Sequence, residues 1–174
     1  MAALRAAGAD ACIDSDTLHG GGGGGGRPSY TGLKAAVIAA GYPKGVDVLY
    51  DPVGGAAFMQ GVRCVTWGGH CLVIGFASGD IPALPLNLAL VKNVTVHGVY
   101  WGSYATQAPG VLAKSMGQLV QLAAAGHLRV NVSHAFPLDA AHLAFKAVAE
   151  RRAVGKVVVV LDARSSGARA RTPA

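Results

Sequence analysis

Between Gly45 and Gly102 the chain reads GVDVLYDPVGG, then HCLVIGFASG, then VTVHGVYWG: three short apolar strands, each running out into a glycine-containing loop. A strand that ends in glycine lets another molecule approach the backbone closely, and in open parallel sheets ligands bind at those carboxyl ends. A functional site is therefore expected where these three strands end. The glycine-rich phosphate fingerprint that accompanies such strands is not seen ahead of them, since the chain opens MAALRAAGADACIDS.

The rest of the chain alternates strand and helix. A helical end at Leu4–Ala7 leads to a short strand at Ala11–Asp14, and then seven consecutive glycines, Gly20 to Gly26, form a flexible low-complexity insert. Gly32–Ala40 carries apolar residues at helical spacing and is stopped by Gly41-Tyr42-Pro43. Val46–Tyr50 is a strand. Ala56–Thr66 is a helix, entered through Gly54-Gly55, whose backbone amides are expected to be open to an anion or a ribose hydroxyl. Cys71–Ile74 is a strand too apolar for one wet face and is expected to be buried on both. Leu86–Val91 is a short helix and Val94–Val99 a strand of branched residues. Ala108–Ala125 has the best helical period, with Val111, Leu112, Met116, Leu119, Val120 and Leu122 in one stripe. Ser133–Pro137 is extended, Leu138–Arg151 helical and Val157–Leu161 a last strand. This order implies an α/β fold with a mostly parallel sheet.

Composition narrows the class. At 174 residues the chain has the size of one domain, and its 52% hydrophobic content leans on alanine, which buries little area per residue. No apolar run approaches the roughly 18 residues of a membrane span, and the start lacks the apolar centre of a secretory signal, so the expected location is cytoplasmic, with an organelle as the alternative. The net charge of +6 is not a nucleic-acid signature: Arg164, Arg169 and Arg171 lie in a basic tail expected to be disordered, and the other cations are scattered. Three cysteines, Cys12, Cys64 and Cys71, form no CxxC, and His70 beside Cys71 fits no common zinc spacing, so no metal is expected. His97, His127, His134 and His142 are dispersed, with no triad spacing around them.

Four motifs, VDVLYDPVGG at Val46–Gly55, WGGHCLVIGFASG at Trp67–Gly79, KNVTVHGVYWG at Lys92–Gly102 and RRAVGKVVVV at Arg151–Val160, occur in order after ALRAAGADACID. Together they resemble the C-terminal part of the zinc-free quinone oxidoreductases of the medium-chain dehydrogenase/reductase superfamily, the zeta-crystallin-like group. The resemblance implies a partial Rossmann-like parallel sheet whose central first strands, with the phosphate loop and the catalytic domain, are missing from these residues. It divides the chain into the end of the first Rossmann half (1–18), the polyglycine insert (19–29) and the second half of an NAD(P)-binding domain (30–130). A segment that returns to the catalytic domain (131–162) and the tail (163–174) follow.

The resemblance also implies one side of a nicotinamide site. Val53 and Gly54 would skirt the ribose, Gly75, Phe76 and Ala77 would pass close to the nicotinamide, Tyr100 would approach the same ring, and Lys156 would be available to a phosphate. The cofactor implied is NADPH, with NADH as the alternative, and the reaction is hydride transfer to a quinone or an α,β-unsaturated carbonyl. No residue of the chain is assigned a catalytic role. The implied assembly is a homodimer through the edge strand Val94–Val99. A different class of reading is a non-catalytic remnant that serves as a dimerisation or interaction module.

Overall fold

The computed structural model describes residues 1–18 and 29–161, so the polyglycine insert Gly20–Gly26 and the basic tail 163–174 lie outside the described residues. Two compact units divide the chain between Gln107 and Ala108.

The first unit contains helices α1 (Ala2–Ala6), α2 (Leu33–Ala39), α3 (Gly55–Cys64), α4 (Leu86–Lys92) and α5 (Tyr104–Gln107), with strands β1 (Val46–Asp51), β2 (Val65–Val73) and β3 (Thr95–Gly98). The strands lie in the order β1-β2-β3, all parallel, with β2 in the middle. Parallel neighbours need a crossover, and α3 and α4 supply it. Register pairs Leu49 with Cys71 and Cys71 with Val96, and pairs Tyr50 with Leu72 and Leu72 with His97. Because side chains alternate across a sheet, these two rows mark its two faces.

One face is covered. Phe58 and Val62 of α3 pack with Val65 and Cys71 of β2, joined by Leu49, Met59, Val73 and Val94. Val62 and Cys71 have no exposed surface. The helix reaches the sheet this closely because Gly61 faces Leu49, where a Cβ would stand 2.8 Å from its Cδ1. The other face lies open: Val48, Tyr50, His70 and His97 are exposed and Leu72 is half-buried. Burial of the middle strand on both faces, expected from its apolar run, is thus corrected to burial on one. Among the described residues the helical layer lies on the side of α3. On the open face His70 Nδ1 lies 3.1 Å from His97 Nε2, one residue on each of two adjacent strands.

Two further sequence expectations are corrected. Residues 11–14 form no strand, because a strand needs a neighbour to bond with and no described strand pairs with them. The second strand begins six residues earlier than expected, at Val65, directly after α3, since Val65 pairs with Val46 across the sheet.

The second unit holds α6 (Pro109–Ala124), β4 (Val132–Pro137), α7 (Ala141–Ala149) and β5 (Lys156–Val160). β4 and β5 are a parallel pair, with Ala135 opposite Val158, and Ala144 and Ala147 of α7 are its buried residues. The apolar stripe of α6 forms as a helix, yet none of its residues is buried.

Gly45 fixes how β1 begins. Its φ of +97° is disfavoured for any residue with a side chain, and a Cβ there would stand far inside the carbonyl oxygen of Cys64. Gly45→Ala should therefore destabilise the first unit by more than about 4 kcal/mol, or abolish its folding, because neither the backbone angle nor a backbone atom can yield cheaply. Phe58→Ala should cost about 3–5 kcal/mol through the cavity it leaves. Urea unfolding followed by circular dichroism checks both; a midpoint unchanged in Gly45→Ala would contradict this packing.

Candidate functional site at the carboxyl ends of the parallel strands

Asp51 is the last residue of β1 and is on the covered face, only 5% exposed. A buried carboxylate must find donors. It finds them in its own loop: Val53 N donates to Oδ1 at 3.1 Å and Gly54 N to Oδ2 at 2.9 Å. Aspartate followed by proline favours this kind of turn, in which a short side chain caps the backbone two or three residues on.

The loop so fixed then binds the next one. Ile74 N donates to Asp51 O, Ala77 N to Pro52 O and Ser78 N to Val53 O, at 2.9, 3.0 and 3.0 Å. Residues 52–55 and 75–80 are thereby stitched together past the ends of β1 and β2. Gly54 is required at the seam: its φ is +76°, and a Cβ would lie 2.8 Å from both Asp80 O and Phe76 Cδ1. Pairing of β2 with β3 continues beyond the strand, with Val99 N on Val73 O at 2.9 Å, which sets Tyr100 at the same end of the sheet. Tyr100 is 78% exposed and Phe76 40%.

Six of the seven residues singled out from the sequence, Val53, Gly54, Gly75, Phe76, Ala77 and Tyr100, therefore follow the carboxyl ends of three adjacent strands. Lys156 belongs to the second unit, where it opens β5 with an exposed side chain and its amide donates to Asn131 O at 2.8 Å. One expectation changes: the entrance to α3 does not offer free amides at both glycines. Gly54 and Gly55 are buried, and the Gly54 amide is already held by Asp51. Sequence reasoning missed Asp51 itself, although its place between a strand and Pro-Val-Gly was the available signal.

Cys64 and Cys71 are both buried. Burial pushes the Cys64 and Cys71 thiols up, an effect that the charge of Lys92 opposes. Among the described residues no three His, Cys, Asp or Glu side chains converge as a metal site requires. No described helix is long and apolar enough to cross a membrane.

Two outcomes follow from this geometry. Asp51→Ala removes a charged acceptor shared by two amides, so exchange of the Val53 and Gly54 amide protons should accelerate by at least about tenfold, read by hydrogen exchange with mass spectrometry. Iodoacetamide at pH 8 should modify the half-exposed Cys12 first, with Cys64 and Cys71 protected until urea is added.

With the fold and the loops in hand, residues 28–159 match the family of zinc-binding dehydrogenases. Quinone oxidoreductase-like protein 2 of Rattus norvegicus is 38% identical over 129 residues, which cover 74% of this chain and 37% of that protein. The solved quinone oxidoreductase of Pseudomonas syringae pv. Tomato DC3000 is 26% identical with a TM-score of 0.58, covering 74% of this chain and 40% of that one. The Escherichia coli quinone oxidoreductase complexed with NADPH has a TM-score of 0.61 at 23% identity, with 74% and 40% covered. The chain thus spans little more than a third of the length of these relatives. On its sequence and its parallel α/β fold it belongs to the zinc-binding dehydrogenase family, as a quinone oxidoreductase-like member matched over part of the relatives' length.

Proposed function

We propose that these residues form the C-terminal part of an NADPH-binding domain in an oxidoreductase that transfers hydride to a quinone or an α,β-unsaturated carbonyl. The observation that carries the reading is the stitched pair of loops 52–55 and 75–80, with a glycine at 54 where any side chain would collide. Ligands of open parallel sheets bind at such ends. The names of the relatives support quinone chemistry, and the NADPH in the Escherichia coli structure supports the cofactor.

In this reading Val53 and Gly54 pass the ribose, held in place by Asp51. Gly75, with no side chain, lets the nicotinamide approach the backbone, while Phe76 and Ala77 limit where the ring can lie and Tyr100 closes one side. Lys156 would serve a phosphate. Bound NADPH supplies the hydride; the protein's part is orientation and exclusion of water, and positioning of this kind can lower a barrier by about 7–11 kcal/mol. The residues in hand line one side of the reacting ring, so by themselves they are expected to be catalytically silent and to bind NADPH weakly.

Saturation-transfer NMR suits a weak complex and tests the placement. Irradiating the protein should saturate the nicotinamide protons of NADPH, and Phe76→Ala should remove most of that signal while leaving any adenine signal. Transfer to the adenine alone would overturn the reading, and a dissociation constant below about 1 µM would contradict the one-sided site, since it demands more than about 8 kcal/mol.

The assembly belongs to the same proposal. β3 is an edge of its sheet, and Val96 is 41% exposed with no charged side chain within the strand. An edge of this kind pairs readily with a second copy about a twofold axis. Val96→Pro removes an amide donor from that strand and should shift the sedimenting species from dimer to monomer. A dimer mass unchanged in Val96→Pro would locate the interface elsewhere.

A further inference from the structure

The amino-terminal ends of β1 and β2 border a different cavity, of about 120 Å³. It is walled by α2, the turn that enters β1, the last turn of α3 and the end of α4. Four cations line it, one from each wall: Lys34, Lys44, Arg63 and Lys92, with Tyr42 beside them and no acidic residue among the lining. Lys92 is half-buried and fixed, its Nζ donating to Arg63 O at 3.2 Å and to the carbonyl of Val65. Carbonyl dipoles orient an ammonium without neutralising it. The Lys92 ammonium is held below the ordinary lysine value, first by burial and then by the charge of Lys34. Like charges gathered in a half-enclosed space raise one another's cost until a counter-ion enters.

The size and the donors define that counter-ion. At this volume the cavity has room for one small oxyanion and lies well below the roughly 300–1,000 Å³ of pockets that enclose a drug-sized ligand. A guanidinium fork and three ammonium groups among the lining are the donors by which phosphate-class oxyanions are held. We propose that this cavity binds a free tetrahedral oxyanion of the phosphate class, at the end of the sheet opposite the loops 52–55 and 75–80. The site is built from elements of the first unit alone and stands independently of the cofactor reading.

The test is calorimetric titration of the 174-residue chain with inorganic phosphate, with chloride added to keep ionic strength constant. Saturable binding of one phosphate per chain is expected. Lys34→Gln and Arg63→Gln, both at exposed positions, should each weaken it by roughly tenfold, as loss of a charged hydrogen bond predicts. Lys114→Gln, an exposed cation on α6, should leave it unchanged. Non-saturable uptake, equal weakening by all three variants, or no weakening by Lys34→Gln and Arg63→Gln would each overturn the proposal. Circular dichroism of the variants confirms that the fold is kept. If either loses it, Lys44→Gln at the exposed turn takes its place.

Discussion

One layer of contacts carries the first unit: Phe58 and Val62 of α3 against Val65 and Cys71 of the middle strand. Those contacts decide which face of the sheet is dry. Once Cys71 points to α3, the period of two sends Leu72 the other way, and the parallel register imposes the same choice on β1 and β3. A sheet of parallel strands is ordinarily covered on both faces. Here the second face carries Val48, Tyr50, His70 and His97 into solvent, and the two imidazoles give each other a hydrogen-bonding partner there.

The same register places Asp51 at the end of the covered row, opposite Val73. From that burial the site follows step by step. A carboxylate with little access to water turns to the nearest amides, those of Val53 and Gly54; the loop they hold then offers Pro52 O and Val53 O to Ala77 and Ser78. Packing under the sheet is thus transmitted to loop geometry above its end through one side chain. The glycine at 54 is a consequence rather than a cause, since it is the residue that tolerates the angle and the close approach this stitching requires.

Much of this was legible in the sequence for a physical reason. Short runs of branched residues closed by glycine, such as Val46–Asp51 with its Pro-Val-Gly-Gly, carry both their strand propensity and their stop signal locally. Long periodic helices are equally local: α6 forms where its apolar stripe predicts, even with that stripe unburied. What failed was nonlocal. Whether residues 11–14 become a strand depends on a partner that the segment cannot encode, and whether β2 is buried on two faces depends on a second layer of helices. Asp51 was overlooked because its importance lies in burial, and a short acidic side chain in a turn reads as a solvated one until the sheet is assembled around it.

The second unit meets the same constraint with fewer elements. An isolated two-stranded sheet is marginal at best, and among the described residues β4 and β5 pack against α7, whose buried residues are the two alanines Ala144 and Ala147. Ala buries little area, so that contact contributes only a modest hydrophobic term. Phe145 and Val148, larger side chains of the same helix, stand exposed beside Val157 and Val159 around an apolar groove of about 520 Å³. The apolar surface most able to stabilise this unit is therefore the surface it leaves wet. In the first unit the open face expresses that shortfall differently: Val48, Tyr50, His70 and His97 stand in solvent on the side where a parallel sheet is ordinarily covered by a second layer of helices.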